Sequence, residues 1–192
     1  LVTMANSLSD VVRMLQLVSK AKTPTIAFCM GELGQPSRIL CGKYGAPFTY
    51  ATFSSDRELA PGQLSFSDMK NIYLYDSING NTRVYAVVGD PIAHSHSPRI
   101  HNAAFQSDGV NAVYLPLRVF KDRFADTMEP LSWLEIQGYS VTIPHKEAVL
   151  PWVPLHDEPV DDIGAANTIY RSGDVWRAAN TDYEAALESV RL

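Results

Sequence analysis

The sequence lacks most features of membrane, disulfide-bonded, metal-binding and nucleic-acid-binding proteins. Its 192 residues include 2 cysteines, Cys29 and Cys41, which form no CxxC pair and are too few to hold a metal ion alone. No apolar run approaches the roughly 18 consecutive residues that a membrane span requires. Asp and Glu outnumber Lys and Arg by 21 to 16, so there is no basic excess for phosphate contacts. We therefore expect no metal, no membrane and no nucleic-acid partner.

A recognisable targeting signal is also absent. The sequence begins at Leu1, and no positively charged segment precedes an apolar stretch, as in a signal peptide. We expect a cytoplasmic protein, or a plastid protein if a transit peptide precedes Leu1. The 46% of hydrophobic and 19% of charged residues are typical of a folded globular chain.

The first part of the chain alternates helix and strand patterns. Apolar residues repeat at helical spacing over residues 8–18, and Ser7 with Asp10 resembles a capping box at the start. The pattern then predicts a strand at residues 25–30 and a helix at 36–43. A second strand at 48–53 and another helix at 65–73 follow. Unalternated apolar strands between helices are typical of a parallel sheet covered by helices.

A polar stretch rich in Asn and Gly separates this series from a second α/β series. We place a linker at residues 77–82, between a first unit at 1–76 and a second unit at 83–192. In the second unit the patterns predict strands at residues 83–88, 113–119 and 139–143. They also predict a helix that opens at 97–98, a hairpin at 166–178 and a final helix from Asp182. The predicted fold class is α/β.

Two hydroxyl side chains follow the first strand of the second unit. Ser95 and Ser97 lie where parallel sheets bind ligands, just before a predicted helix. With the backbone N–H groups of a helix N-terminus, they would suit a carboxylate or a polyol. Ser97 is equally well explained as a helix N-cap, whereas Ser95 is harder to explain in that way.

Other polar residues end strands and turns of the same unit. Thr142 ends a strand, and Pro144 sets up a turn that carries Lys146 to the carboxyl edge of the sheet. A lysine is usually a solvated surface charge, but Lys146 lies between an apolar strand and an apolar turn, which suits it to proton transfer. Asn167 and Asp182 are each common capping residues. Their gathering at corresponding edges of one small unit predicts a ligand site.

Four ordered motifs make residues 91–182 resemble the substrate-binding domain of shikimate dehydrogenase. The motifs are Pro-Ile-x-His-Ser-x-Ser-Pro-x-x-His-Asn at 91–102, Tyr-Ser-Val-Thr-Ile-Pro-His-Lys-Glu at 139–147, Gly-Ala-x-Asn-Thr at 164–168 and Asn-Thr-Asp at 180–182. The first unit is similar to the C-terminal part of a type I 3-dehydroquinate dehydratase, through Met-Gly-Glu-Leu-Gly-Gln-Pro-Ser-Arg at 30–38, Ala-Pro-Phe-Thr-Tyr at 46–50 and Ala-Pro-Gly-Gln at 60–63. This order resembles the fused bifunctional enzymes of the shikimate pathway, which serves aromatic amino acid biosynthesis.

The resemblance implies a fold and roles for the second unit. The fold would be a partial (β/α)8-barrel remnant followed by a three-layer α/β/α substrate-binding domain. The substrate-binding residues would be Ser95 and Ser97 for the carboxylate, and Thr142, Asn167 and Asp182 for the ring hydroxyls. Lys146 and Asp182 would form the catalytic pair. The lysine would move the proton at the reacting oxygen of shikimate or 3-dehydroshikimate, while NADP carries the hydride.

For the dehydratase unit, the resemblance implies that Arg38 pairs with the carboxylate of 3-dehydroquinate. Gln63 would bind a hydroxyl, and Met30 and Tyr50 would line the pocket. Leu59 departs from the family serine before Ala-Pro-Gly-Gln, which removes one polar contact.

Two departures fall in the dehydrogenase unit. Ala185 replaces a glycine that usually follows the Asn-Thr-Asp motif. His145 replaces a phenylalanine common before the catalytic lysine, and we interpret it as structural.

Two expected components are missing. Type I dehydratases use a lysine that forms a Schiff base, and alignment with the strand that carries it would put this lysine just before Leu1. Neither Lys20 nor Lys22 can replace it, since both lie at the solvent-facing end of the first predicted helix. No GxGxxG turn for NADP occurs, so we expect the NADP domain to follow Leu192. We therefore expect an internal fragment that holds about the last three βα units of the barrel. We expect this fragment to have no enzymatic activity alone and to bind shikimate weakly at most.

Two other functions fit the same residues. A quinate dehydrogenase would share the fold and chemistry, but the extra hydroxyl of quinate beside the carboxylate would crowd Ser97. A non-catalytic sensor of pathway intermediates would need no proton-transfer pair, so Lys146 and Asp182 argue against it. Shikimate oxidoreduction fused to dehydroquinate dehydration is the favoured interpretation.

Overall fold

The computed structural model describes residues 1–190, which form a mixed α/β structure. The predicted end of the second unit, residues 191–192, lies outside the described residues. The strands are β1 Val2–Met4, β2 Phe28–Met30, β3 Arg83–Gly89, β4 Ala112–Arg118, β5 Gly138–Val141, β6 Leu155–His156, β7 Thr168–Ser172 and β8 Val175–Ala179. The helices are α1 Leu8–Lys20, α2 Gln35–Leu40, α3 Phe66–Asn71, α4 Ser97–Ser107, α5 Phe124–Leu131, α6 Glu158–Ile163 and α7 Thr181–Val190.

The first part contains a parallel pair of strands, β1 and β2, connected by α1. Val2 lies opposite Phe28 in this pair. The helix begins as predicted, because the Asp10 carboxylate accepts the backbone N–H of Ser7 at 3.0 Å. The apolar face of α1 is buried over its whole length, as the helical spacing indicates.

One predicted strand of the first part is wrong. Residues 48–53 form no strand, and Thr52 alone makes an isolated bridge with Ser65. Phe48 and Tyr50 are exposed instead. A segment rich in aromatic residues and threonine becomes a strand only where a neighbouring strand pairs with its backbone, and no described residue does so for 48–51. The described chain therefore holds two βα units rather than the three that we expected.

The second part is built on a six-stranded sheet with the order β4-β3-β5-β7-β8-β6. The strands β4, β3 and β5 are mutually parallel, β7 and β8 form an antiparallel hairpin next to β5, and β6 pairs in parallel with β8. The predicted strands and hairpin are confirmed within a few residues. The elements α5, β6 and α6 have no counterpart among the predicted ones, since segments of 8, 2 and 6 residues are too short for a clear periodicity.

Both faces of this sheet are covered. Val87 and Tyr114 pack on one face with Phe105 of α4. On the other face, β3 and β4 join a larger core that continues through α5 into α1 and α2 of the first part. Tyr44 stacks on Trp133 across this junction, with ring centroids 4.7 Å apart. The two parts thus share one core, and the boundary at 77–82 stays a prediction.

Both cysteines, Cys29 and Cys41, are buried free thiols. Among residues 1–190, no helix combines the length and apolar character that a membrane crossing needs.

Candidate functional site

A cavity of about 450 Å³ opens at the carboxyl ends of β3 and β5. The structure brings to its wall all six predicted dehydrogenase residues, Ser95, Ser97, Thr142, Lys146, Asn167 and Asp182. They come from the loop after β3, the start of α4, the turn after β5, the residue before β7 and the first turn of α7. Residues up to 87 positions apart in the sequence therefore share one cavity.

The serine loop has a different cap from the expected one. The N-cap residue of α4 is His96, and Ser97 is the first residue within the helix. Ser95 Oγ accepts the backbone N–H of Ser97 at 3.3 Å. The alternative in which Ser97 caps the helix is therefore wrong, and Ser95 holds the first turn. Both hydroxyls remain at the cavity wall, next to the N–H groups at the helix N-terminus.

The same cavity is lined by a charged pair, Lys146 and Asp182. Lys146 Nζ donates to Asp182 Oδ2 at 2.6 Å. This hydrogen bond holds the pKa of the Asp182 carboxyl below its ordinary value of 3.8, although partial burial acts in the opposite direction. The side-chain amide of Asn167 also lowers this pKa, by a smaller amount. Asp182 is therefore ionised near neutral pH and orients the ammonium group.

Asn167 fixes the start of the helix that carries Asp182. Its Oδ1 accepts the backbone N–H of Thr181 at 3.1 Å, and its Nδ2 donates to Thr181 Oγ1 at 2.8 Å. Asn180 completes this cap, because its Oδ1 accepts the backbone N–H of Tyr183 at 3.3 Å. The amide of Asn167 thus has a positioning task as well as a place at the cavity wall.

Sequence reasoning missed Ser140, which also lines the cavity. The Tyr114 hydroxyl donates to Ser140 Oγ at 2.7 Å. Tyr114 is itself held by Asn102, whose side-chain amide makes hydrogen bonds of 2.8 and 2.9 Å with the backbone N–H and carbonyl of Tyr114. A signal was available, since Ser140 lies two residues before Thr142 and alternate strand residues share a face.

His145 is fully buried beside Lys146 but is absent from the cavity wall. Its Nε2 lies 2.6 Å from the carbonyl oxygen of Val119, and its ring packs 4.8 Å from Phe124. Its Nδ1 has no hydrogen-bond partner among the described residues. These contacts support a structural role for this side chain.

In the first part, two of the candidate dehydratase residues, Arg38 and Tyr50, contact one aromatic ring. Arg38 is 2% exposed, and its Cζ lies 4.3 Å from the ring centroid of Phe28. Burial lowers the pKa of the Arg38 guanidinium, and its Nε has no partner among the described residues. Tyr50 meets the same ring edge-on at 5.9 Å, and Met30 lies two residues further along β2.

Gln63 lies in a loop that covers the end of β2. The carbonyl of Pro61 accepts the backbone N–H of Gly31 at 2.7 Å, which holds this loop next to Met30. The Gln63 side chain is engaged inside its own loop, where Oε1 accepts the backbone N–H of Leu59 at 3.2 Å. No hydrogen bond joins Gln63 to Arg38 in the described structure, so the four dehydratase residues form no connected polar group there.

No group of three or more His, Cys, Asp or Glu in the described chain could hold a metal ion. NADP requires a glycine-rich turn where the backbone approaches the pyrophosphate. The glycine that ends β3, Gly89, instead faces Thr142, and the following loop contains no glycine. The described residues therefore do not fit NADP, and we assign none of them to it.

Comparison with known families matches each part separately. Residues 87–169 match the shikimate dehydrogenase substrate binding domain, and residues 1–80 match type I 3-dehydroquinase. The chain is 42% identical over 190 residues to the bifunctional 3-dehydroquinate dehydratase/shikimate dehydrogenase, chloroplastic, of Arabidopsis thaliana, covering 98% of this chain and 31% of that protein. It is 40% identical over 114 residues to the shikimate dehydrogenase (NADP(+)) of Microcystis aeruginosa, covering 59% of this chain and 40% of the relative.

Solved structures agree with these matches. The shikimate dehydrogenase of Aquifex aeolicus gives a TM-score of 0.56 at 33% identity, over 59% of this chain and 43% of that one. The dehydroquinate dehydratase and shikimate dehydrogenase of S. pombe AroM gives 0.51 at 30% identity, over 99% of this chain and 36% of that one. The chain spans between about a third and two fifths of the length of the relatives it matches. Residues 1–80 thus match type I 3-dehydroquinase, residues 87–169 match the shikimate dehydrogenase substrate binding domain, and nearly the whole chain is similar to bifunctional enzymes named for both activities.

Proposed function

We propose that residues 83–192 bind shikimate and 3-dehydroshikimate and take part in their NADP-dependent interconversion. The observation that carries this proposal is the Lys146–Asp182 pair, 2.6 Å apart, in a cavity whose other walls present hydroxyl groups. The volume of about 450 Å³ lies within the usual range for small-molecule sites. A carboxylated ring with several hydroxyls matches this mixture of one cation, one anion and neutral donors.

The two ends of the substrate would meet different chemistry. Ser95 and Ser97, next to the N-terminus of α4, would hold the carboxylate, because a helix N-terminus and hydroxyl donors both favour an anion. Thr142 and Asn167 would bind ring hydroxyls. This arrangement would leave the oxygen on ring carbon 3, two carbons from the carbon that bears the carboxylate, near Lys146.

Lys146 would act on the oxygen that changes between alcohol and ketone. During reduction, negative charge develops on this oxygen, and an ammonium donor aimed at it stabilises that charge and delivers the proton. Asp182 would keep the ammonium oriented and accept a hydroxyl of the ring. NADP would be the hydride carrier, as the names of the dehydrogenase relatives specify, held by a domain outside residues 1–190.

The first part would belong to a 3-dehydroquinate dehydratase site. A buried guanidinium with an unpartnered Nε, stacked on Phe28, suits the substrate carboxylate, so we propose this role for Arg38. Met30 and Tyr50 would line the pocket, and Gln63 would reach a hydroxyl after leaving its contact with Leu59. The unit boundaries at 76 and 83, and a cytoplasmic or plastid location, belong to the same proposal.

Calorimetric titration of the 192-residue chain with shikimate tests the dehydrogenase proposal. We expect saturable binding that Lys146→Ala weakens roughly tenfold, the usual effect of losing a charged hydrogen bond. Lys121→Ala, an exposed lysine after β4, is the matched control and should bind as the wild type. Quinate should bind more weakly than shikimate because of its extra hydroxyl beside Ser97. Equal binding by the Lys146→Ala variant, or no binding by the wild type, would overturn the proposal.

A further inference from the structure

A bridge of three charged side chains joins the two parts of the molecule beside the cavity. Arg118, the last residue of β4, donates from Nε to Asp90 Oδ1 at 2.7 Å and from Nη1 to Glu32 Oε2 at 2.6 Å. Glu32 follows β2 in the first part, whereas Asp90 follows β3 in the second. One guanidinium therefore serves two carboxylates that lie 58 residues apart in the sequence. These hydrogen bonds also raise the pKa of Arg118.

Asp90 begins the loop that carries the two candidate carboxylate contacts. The backbone N–H of Asp90 donates to the carbonyl of Ile143 at 3.0 Å, which fixes the start of the loop against the turn before Lys146. Ser95 Oγ fixes its far end through the backbone N–H of Ser97. Arg118 therefore holds the first residue of this loop through the Asp90 side chain, and neither residue lines the cavity.

We propose that Arg118 is a positioning residue for residues 90–97, and that Glu32 couples this loop to the first part of the chain. The inference rests on the proposed function, in which Ser95 and Ser97 hold the substrate carboxylate. Arginine suits this task because its planar guanidinium presents donors in two directions, whereas lysine offers a compact point charge. The stem is further fixed, since Arg118 Cζ lies 4.9 Å from the ring centroid of Phe120.

The size of the expected effect follows from exposure. The Arg118, Asp90 and Glu32 side chains are 32%, 24% and 38% exposed, so solvent screens their attraction. Isolated ion pairs of this kind contribute little, and only networks with good geometry give a measurable effect. We expect Arg118→Gln to weaken shikimate binding roughly fivefold, because the loop loses its side-chain anchor while the cavity keeps its contacts.

The test compares Arg118→Gln with Arg123→Gln in the 192-residue chain. Arg123 is a matched control, because its replacement removes the same charge. Arg118 and Arg123 both line a second cavity, between the two parts of the chain, but Arg123 pairs only loosely with the neighbouring Asp122, at 4.0 Å. Arg118→Lys is the conservative variant, which keeps the charge and most of the stem. Shikimate affinity is measured by calorimetry at low and high salt, and amide hydrogen exchange is followed across residues 92–97.

Arg118→Gln should weaken binding and speed exchange in this loop, Arg118→Lys should do both to a smaller extent, and Arg123→Gln should do neither. The difference from the wild type should shrink at high salt, because salt screens partly exposed charges. A purely structural loss would not respond to salt in this way. The proposal is overturned if Arg118→Gln matches Arg123→Gln in both affinity and exchange.

The role of Glu32 is tested by a double-mutant cycle. Glu32→Gln alone should weaken shikimate binding roughly twofold, and it should add nothing in the Arg118→Gln background, because the two residues act through one bridge. Additive effects would overturn the coupling to the first part. If the wild-type chain binds no shikimate, the proposed function fails, and the exchange comparison then decides alone whether Arg118 positions the loop.

Discussion

At the scale of single residues, the Lys146–Asp182 pair makes the candidate site sensitive to acid. The hydrogen bond from Lys146 lowers the pKa of the Asp182 carboxyl in the folded state. A carboxyl with a lowered folded pKa stabilises the fold above its ordinary pKa and loses that contribution as the pH falls through the folded value. Because the Asp182 side chain is 62% exposed, solvent screening keeps this contribution small. The pair should therefore be intact at neutral pH and break only in acid.

Replacing Lys146 by Met tests this charge relationship directly. The Asp182 carboxyl should then titrate closer to the ordinary value of 3.8, since its main hydrogen-bond donor is lost. Carbon-13 NMR of the carboxyl across acid pH measures the midpoint, with Lys121→Met as the control that should leave it unchanged. An unchanged midpoint in Lys146→Met would show that the two groups do not interact in solution.

The hydroxyl of Tyr114 gives a second prediction at this scale. Tyr114→Phe removes the 2.7 Å hydrogen bond to Ser140 and should lower the free energy of unfolding by about 1 kcal/mol. Shikimate should also bind more weakly, because Ser140 then loses its fixed orientation at the cavity wall. Urea unfolding and calorimetry measure the two effects, and Tyr85→Phe, on the same face of the sheet, is the control. Wild-type behaviour in both measurements would remove Tyr114 from the support of the site.

At the scale of elements, the close approach of β3 to the turn after β5 brings the halves of the cavity together. A Cβ at Gly89 would collide with the Cγ2 methyl of Thr142 and lie 3.1 Å from the Ile143 carbonyl oxygen. Gly89→Ala should therefore destabilise the protein by about 1–3 kcal/mol and displace Thr142, as overpacking does. Gly80→Ala is the control, because nothing lies within 4 Å of a Cβ there. Urea unfolding of both variants measures the difference, and equal stabilities would contradict this packing.

The two-stranded sheet has an edge that should drive association. Only β2 pairs with β1 in the described structure, and the side chains of Leu1, Val2 and Met4 are exposed there. An exposed apolar edge strand invites pairing with another chain, and a lysine on such an edge opposes it. Val2→Lys should therefore reduce concentration-dependent association of the isolated chain, measured by light scattering. Ile100→Lys, which places the same charge on exposed α4, should have little effect, and the reverse ranking would exclude the edge as the cause.

The elements that the sequence predicts well are those with a strong local pattern. The apolar runs of β3, β4 and β5 and the spaced apolar residues of α1 are each recognisable without tertiary information. Residues 48–53 have the composition of a strand but lack a partner strand, so they remain irregular. Turn residues predict where polar side chains gather. They do not predict that His96 is the N-cap of α4, with Ser95 Oγ accepting the backbone N–H of Ser97, because that depends on where the helix starts.

At the scale of the whole molecule, contacts distant in sequence decide what the local patterns leave open. The pairing of Arg118 with Glu32 and the stacking of Tyr44 on Trp133 join the two parts, and no motif in the sequence indicates either contact. The convergence of six site residues was predictable, since each follows a strand or turn that ends at the same sheet edge. The shared core explains why two family segments form one packed structure here.

The most direct measurement is an NMR titration of the nitrogen-15-labelled 192-residue chain with shikimate. The account predicts saturable shifts in the amides of Ser95, Ser97 and Thr142, together with those of Lys146 and Asp182, with one common dissociation constant. The amides of β1 and α1, on the far part of the molecule, should not shift. Shifts that cluster away from these residues, or the absence of any shift at saturating shikimate, would contradict the assignment of this cavity as the substrate site.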